Sequence, residues 1–123
     1  MSETNQPCAW LTTLRADGSP HTTPVWFVIH DRAIWIASAA KNVKVRNIAA
    51  DSRISFAIDG SGPEPRVAQG RALIHRDLAS FPEAISLLAK KYGGWDVTDE
   101  TADGQRVLLE IPIERWLLGA EPL

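Results

Sequence analysis

Short segments in which apolar residues alternate with polar or β-branched residues fill the first third of the chain, and this spacing predicts strands. The stretch after Arg32, for example, alternates isoleucines with alanine and tryptophan. Sharp turns separate these segments, because Asp17-Gly18 is a strong hairpin signal and Asp31-Arg32 marks the next turn. The first three predicted strands are Ala9–Arg15, His21–Ile29 and Ala33–Ser38.

The periodicity changes to that of helices in two places. Ser80–Tyr92 carries apolar residues on one stripe and ends at Gly93-Gly94, while Asn42–Ala50 begins with a residue whose side-chain oxygen can cap a helix. Stretches that are polar or rich in glycine and proline are interpreted as loops. The remaining elements are strands at Arg53–Ile58, Arg66–His75 and Arg106–Ile113 and loops at Gly60–Pro65 and Trp95–Asp103.

These elements predict a mainly β fold of about six strands and two helices. Most strands neighbour each other as hairpins, so the sheet should be antiparallel, and a sheet of this size can close into a small β-barrel. Pro24 and Pro112 interrupt strand patterns, which favours an edge position or a bulge for each. With 123 residues, the chain has room for one domain, which we assign to residues 1–123.

Composition narrows the class of protein. Of all residues, 45% are hydrophobic and 23% are charged, as in ordinary globular proteins, and the net charge of -2 argues against a general nucleic-acid binder. No apolar run is long enough to span a membrane, and the polar first residues lack a signal peptide. Because Cys8 is the single cysteine, no internal disulfide can form, and we expect a cytoplasmic protein.

The most informative chemical pattern follows the third predicted strand. The strand ends in the hydroxyl of Ser38, and Lys41, Lys44 and Arg46 come in the opening turns of the next helix. The start of a helix presents free N–H groups and a favourable dipole to an anion, and lysines add point charges. This pattern predicts a phosphate site; the alternative is a surface helix with ordinary solvated lysines.

No catalytic or metal-binding motif is present in the sequence. His21, His30 and His75 are widely spaced, so surface or strand-end positions are the better interpretation for them than metal ligands. Phosphate-binding glycine loops and nucleophile elbows are also missing. If the protein is an enzyme, we therefore expect a bound cofactor to carry the chemistry.

The order of the motifs identifies a resemblance. The segments LTTLRADGSPHTTPVWF, IASAAKNVKVRNIAADSRISF, VAQGRALI and VLLEIPIERW resemble, in this order, the split β-barrel flavin-binding family related to pyridoxamine 5'-phosphate oxidase. The chain is most similar to the actinobacterial branch that uses the deazaflavin coenzyme F-420. The resemblance covers the chain from about Trp10 to Trp116 and implies an FMN-binding-like split barrel.

The resemblance also implies site residues and a partner. Family members are homodimers with cofactor sites at the subunit interface; in so small a chain, some of the five tryptophans are also expected between subunits. A core or interface role for the tryptophan of the second strand, and a solvent-facing role for the fifth-strand glutamine, remain as alternatives. The residues implied are Ser38, Lys41, Asn42 and Lys44 for the phosphate, Thr23, Pro24, Val25 and Trp26 for the ring, and Gln69 of the second subunit at the ring edge.

Three departures from the family pattern affect the function that it implies. The chain has too few residues before the first strand for the usual helix, Asn42 stands where many relatives carry a second cation, and Arg115 is the only cation of the tail RWLLGAEPL. The last departure argues against oxidation of vitamin B6. The implied function is an oxidoreductase that transfers a hydride between reduced coenzyme F-420, or alternatively FMN, and an unsaturated small molecule. The alternative is a non-catalytic carrier of a flavin, deazaflavin or haem.

Overall fold

The computed structural model describes residues 6–58 and 66–118, so the predicted loop Gly60–Pro65 lies outside the described residues. Eight strands and two α-helices are present in these two ranges. A short 3-10 helix, Leu78–Ser80, precedes the second helix. The elements are β1 (Ala9–Leu14), β2 (Pro20–Val25), β3 (Val28–His30), β4 (Ala33–Ala39), α1 (Val43–Ala50), β5 (Arg53–Ile58), β6 (Arg66–Arg71), β7 (Leu73–His75), α2 (Pro82–Lys91) and β8 (Arg106–Leu118).

The strands form one curled antiparallel sheet, which confirms the mainly β prediction. Its order is β2-β1-β5-β6-β8-β4-β3, and β7 pairs with β8 beside this path. Strand β8 belongs to both halves of the sheet, because residues 106–112 pair with β4 and residues 113–118 pair with β6. Strands β2 and β3 are consecutive in the chain but lie at opposite ends of the strand order. The split of the barrel therefore lies between β2 and β3.

Two predicted strands are wrong in one respect, since each is two strands in the structure. The predicted strand His21–Ile29 breaks at Trp26 and Phe27, because β2 pairs with β1 whereas β3 pairs with β4. The predicted strand Arg66–His75 breaks at Ala72, whose amide bonds to the carbonyl of Ser52 while β7 turns to pair with β8. The last strand also runs five residues past its predicted end. In each case a change of pairing partner, which local sequence does not encode, sets the boundary.

Both predictions about prolines in strands are confirmed. Strand β2, which contains Pro24, lies at one end of the sheet, so its unpaired side tolerates a residue without an N–H group. Pro112 lies where β8 leaves β4, and the register of β8 against β6 shifts between Gln69 and Gly70 at the next residues. This shift is a bulge that bends β8 from one half of the sheet into the other.

The turn predictions are also confirmed. Gly18 has φ of 86° in the β1–β2 hairpin, and Asp31 and Arg32 both have positive φ in the β3–β4 turn. Gly93 and Gly94 follow α2 with positive φ, which ends that helix as expected. In the described ranges, no helix is long and apolar enough to cross a membrane.

Hydrophobic residues pack on both faces of β4, because a different layer covers each face. Ile34 and Ile36 face the interior of the curled sheet, together with Phe27 and Phe56. Trp35, on the other face, packs under α2. Because both faces are covered, nearly the whole of β4 is buried. The end of α2 lies beside the split of the barrel, where Lys91 and Tyr92 contact Phe27.

Candidate functional site

The chain crosses the split of the barrel at Trp26 and Phe27, and aromatic side chains gather there. The ring of Trp26 stacks on that of Tyr92 with centroids 4.4 Å apart and an angle of 2° between the planes. Trp95 meets Trp26 edge-on, at 5.1 Å and 87°. Trp26 is nonetheless 48% exposed. The site thus offers a flat aromatic surface that Tyr92 supports from behind and that remains accessible to a ligand.

A cavity of about 390 Å³ lies beside this aromatic surface. Lys44, from the first turn of α1, reaches the cavity and is half-buried, which differs from the exposed side chain expected of a surface lysine. Burial lowers the pKa of Lys44 below its usual range, and within the described residues this ammonium has no carboxylate partner. The cavity therefore combines an aromatic wall with an uncompensated cation. Its lining residues are Cys8, Pro24, Val25, Trp26, Ala37, Lys44 and Trp95.

The predicted cap of α1 is wrong in its mechanism. Asn42 occupies the N-cap position, but its side chain makes no capping hydrogen bond. Its amide nitrogen instead donates to the hydroxyl of Ser38 over 3.2 Å, and that hydroxyl donates to the carbonyl of Ala39. The side chain points back to the end of β4 because that buried hydroxyl offers it an acceptor. Without a side-chain cap, the first N–H groups of α1 remain available to an anion.

Of the predicted site residues, the structure brings Pro24, Val25, Trp26 and Lys44 together at the cavity. Ser38 is buried behind Asn42, and the side chains of Lys41 and Arg46 are exposed on the outside. Thr23 lies on β2 opposite Leu11 and does not line the cavity. Of the four residues predicted to bind the phosphate, Lys44 lines the cavity, whereas Ser38, Lys41 and Asn42 do not.

Gln69 does not line this cavity. Register places Gln69 opposite Ser55 and Ser55 opposite Thr12, so Gln69 shares the outer face of this half of the sheet with Trp10. Trp10 is 49% exposed on that face. Gln69 is therefore not among the described residues that line the cavity beside Trp26, and its role at a ring edge stays a prediction.

Sequence reasoning missed several cavity residues, chiefly Cys8, Ala37 and Trp95. Cys8 directly precedes β1, and the pairing of Ala9 with Val25 brings it beside Trp26, so the hairpin register was the available signal. Trp95 lies in the loop after α2. The guanidinium of Arg106 holds this loop by donating to three of its backbone carbonyls, including that of Asp96, and nothing local in the sequence indicates that contact.

A second cavity, of about 270 Å³, lies at the other end of α2. Three of its four ionisable lining residues are already paired, because His30 contacts Glu83 at 3.2 Å and Glu110 contacts His75 at 2.7 Å; the fourth is Asp31. Each of these histidines ends a strand, as expected. Among the residues that the structure describes, no group of three or more His, Cys, Asp or Glu side chains could hold a metal ion. The cavity beside Trp26 is therefore the better candidate site.

Comparisons with known proteins agree with this fold. A curated biliverdin reductase of Mycobacterium tuberculosis (strain CDC 1551 / Oshkosh), which depends on reduced coenzyme F-420, is 28% identical over 116 residues, covering 94% of this chain and 81% of the reductase. A solved conserved hypothetical protein from Mycobacterium tuberculosis is 26% identical with a TM-score of 0.73, over 89% of this chain and 74% of that one. A solved F-420 reductase is 24% identical with a TM-score of 0.73, over 92% of this chain and 91% of that one.

A protein-family model settles the family. The model described as pyridoxamine 5'-phosphate oxidase matches residues 3–118, which is nearly the whole chain. The match agrees with the curled antiparallel sheet, the split between β2 and β3, and the resemblance of the motifs in order. The chain belongs to the pyridoxamine 5'-phosphate oxidase family.

Proposed function

We propose that the protein is an oxidoreductase that binds coenzyme F-420 in the cavity beside Trp26 and transfers a hydride between the reduced coenzyme and an unsaturated small molecule. The observation that carries this proposal is the pairing, in one cavity, of an exposed indole with a half-buried cation that has no counter-ion within the described residues. The relative that depends on reduced F-420 supports the choice of coenzyme, because its similarity extends over 94% of this chain.

The aromatic side of the cavity suits a three-ring ligand. Tyr92 covers one side of Trp26 in a parallel stack, so a planar ligand can extend the stack on the accessible side. Such aromatic pairs contribute about 0.5–1.5 kcal/mol beyond the area that they bury. Ala37 lines the same cavity with a small side chain and leaves room for a ring.

The cationic side suits a phosphate. A phosphate at Lys44 would give this half-buried ammonium the counter-ion that it lacks within the described residues, and it could also accept hydrogen bonds from the uncapped start of α1. A charge-assisted hydrogen bond of this kind contributes about 1.5–3 kcal/mol. Lys41, which is exposed, would contribute less because solvent and salt screen it. The residues present therefore fit a phosphorylated ring cofactor.

The reduced deazaflavin, when bound, supplies the hydride. The side chains of this chain bind the ring, orient it and keep water from it. The described residues that line the cavity include no carboxylate and no imidazole, so the contribution of the protein is positioning in a dry pocket. The same lining supports the alternative function, a non-catalytic carrier of a flavin, a deazaflavin or haem. Substrate turnover distinguishes the two.

We also propose that the site is completed by a second copy of the chain. The half-exposed Trp10 and Gln69 share the outer face of one half of the sheet, where a partner would cover the indole. In this arrangement Gln69 of one subunit closes the ring edge in the other. Sedimentation should show a dimer at micromolar concentration, and a folded monomer would contradict the proposal.

The test of the coenzyme is a pair of titrations with F-420 and FMN, followed by tryptophan quenching at low and high salt. F-420 should bind more tightly, and the difference should shrink at high salt because its acidic tail would meet exposed cations. Tighter binding of FMN under both conditions would make FMN the cofactor. Oxidation of reduced F-420 by a panel of conjugated acceptors, with biliverdin among them, then tests catalysis. Binding without turnover by any acceptor would favour the carrier.

A further inference from the structure

The peptide groups at the split of the barrel have no strand to pair with, yet they are held. Trp26 and Phe27 lie between β2 and β3 and outside both strand ladders. The N–H of Phe27 donates to the hydroxyl of Tyr92 over 2.8 Å, and the carbonyl of Phe27 accepts a hydrogen bond from Nζ of Lys91 over 2.7 Å. Two adjacent side chains at the end of α2 thus take the place of a ladder at this residue.

These two side chains also join neighbouring parts of the site. The hydroxyl of Tyr92 lies 3.0 Å from the carbonyl of Pro7, next to the cavity residue Cys8. The ammonium of Lys91 lies 3.6 Å from the centre of the Phe27 ring. Phe27 itself is fully buried and meets Phe56 edge-on at 5.2 Å, so its position is tied to the core. The end of α2 is therefore connected to the core through Phe27.

The N–H of Phe27 belongs to the peptide group that joins it to Trp26, so the bond to this N–H fixes the backbone from which the indole projects. The ring of Tyr92 adds a second constraint because it stacks on the indole directly. We infer that Lys91 and Tyr92 are positioning residues for the ring-binding wall, holding Trp26 at the split of the barrel where it can stack on the cofactor. This inference rests on the proposed function for its ligand, whereas the bonds to Phe27 can be tested without any ligand.

The chain offers matched variants that separate the two constraints. Tyr92→Phe keeps the stacked ring and removes the hydroxyl that bonds to Phe27, while Tyr92→Leu removes both. Lys91→Met removes the donor to the Phe27 carbonyl and keeps much of the apolar length. Lys90→Met changes the neighbouring exposed lysine of the same helix turn and serves as the control.

Hydrogen exchange measures the bonds to Phe27 without a ligand. The Phe27 amide should exchange at least tenfold faster in Tyr92→Phe than in the wild type, because this amide loses its acceptor. Amides of β1 should be unchanged, and Lys90→Met should match the wild type at all sites. Equal exchange of the Phe27 amide in Tyr92→Phe and the wild type would overturn the inference.

Titrations with ring ligands measure how these substitutions change binding at the ring-binding wall. Each ring system is titrated with and without its phosphate: F-420 against its phosphate-free riboside, and FMN against riboflavin. Tyr92→Leu and Lys91→Met should weaken both members of a pair by the same factor, about threefold to thirtyfold, whereas Lys44→Ala should weaken only the phosphorylated member. A Tyr92→Leu protein that binds both members as the wild type does would overturn the positioning role.

If the wild type binds no ring ligand, the proposed function and the ligand part of this inference both fail. Hydrogen exchange still decides whether Tyr92 holds Phe27.

Discussion

The two halves of the curled sheet meet at two places that are built differently. At the closed seam, β8 runs through both halves and passes from β4 to β6 near Gly70. At the open seam, the chain passes from β2 to β3 through Trp26 and Phe27, and side chains of α2 make the bonds. At the closed seam one strand pairs on both sides of a bulge, whereas the open seam has a cavity beside it.

This difference separates stability from function. A strand that runs through a bend carries its pairing from one half of the sheet into the other and leaves little space, as the close approach of Gly70 to Pro112 shows. A crossing held by side chains leaves an aromatic ring accessible and, within the described residues, a cation without a carboxylate partner, and both are features that a ligand can use. Substitutions at the closed seam should therefore change the free energy of unfolding, and those at the open seam should change mainly binding.

The largest effect is expected for Gly70→Ala at the closed seam. A Cβ atom at Gly70 would lie 2.5 Å from the backbone oxygen of Pro112, so the bulge would have to move. Such overpacking destabilises the fold by about 2–3 kcal/mol, measured by urea unfolding. Gly18→Ala is the control, because no atom lies within 4 Å of its added Cβ and only its positive φ, costing about 1 kcal/mol, opposes the change. A smaller loss for Gly70→Ala than for Gly18→Ala would contradict this view of the closed seam.

The next effect concerns the cation of the cavity. Lys44→Ala should weaken binding of a phosphorylated flavin or deazaflavin tenfold to a hundredfold, because a charge-assisted contact is lost. Unfolding should hardly change, since Lys44 has no partner within the described residues and its charge is partly desolvated. Lys41→Ala, which changes an exposed lysine just before α1, should weaken binding much less. Unchanged affinity of Lys44→Ala for every phosphorylated ligand would remove this residue from the site.

Loss of the indole of the aromatic wall should weaken ligand binding less than loss of the Lys44 charge. Trp26→Leu removes the surface on which the ring would stack and should weaken binding of ring ligands by about 1 kcal/mol, or about fivefold. Because Trp26 is 48% exposed, its replacement should change the melting temperature less than Trp35→Leu, whose indole is buried under α2. Equal binding by Trp26→Leu and the wild type would place the ring elsewhere.

The sequence predicts the closed parts of this fold well because their signals are local. Asp17-Gly18 and Asp31-Arg32 indicate turns, and residues of both pairs have the positive φ that tight turns require. The residues of β4 predict a strand because they alternate between two faces, both of which are covered in the structure. The open seam is not predicted, since Trp26 and Phe27 read as the middle of one long strand. Their departure from the ladder depends on Tyr92, which is 65 residues away from Phe27 in sequence. Lys44 can be predicted from the local pattern of cations after β4, and Trp26 from the family resemblance. Trp95 cannot be predicted, because contacts of the distant Arg106 hold its loop.

The smallest expected effect is a pH dependence of the free energy of unfolding, which arises from Lys91 at the open seam. Burial lowers the pKa of Lys91 from 10.5 to about 8. Between these two values the unfolded chain holds a proton on Lys91 that the folded chain has lost, so raising the pH through this window favours the folded state. Urea unfolding from pH 7.5 to 9.5 should show a larger gain in stability for the wild type and Lys90→Met than for Lys91→Met, which keeps only the contribution of Lys44. The upper limit avoids the titration of Tyr92, whose raised pKa would act in the opposite direction. Parallel curves for wild type and Lys91→Met would mean that water reaches the ammonium in solution, and the open seam would then be looser than its hydrogen bonds to Phe27 imply.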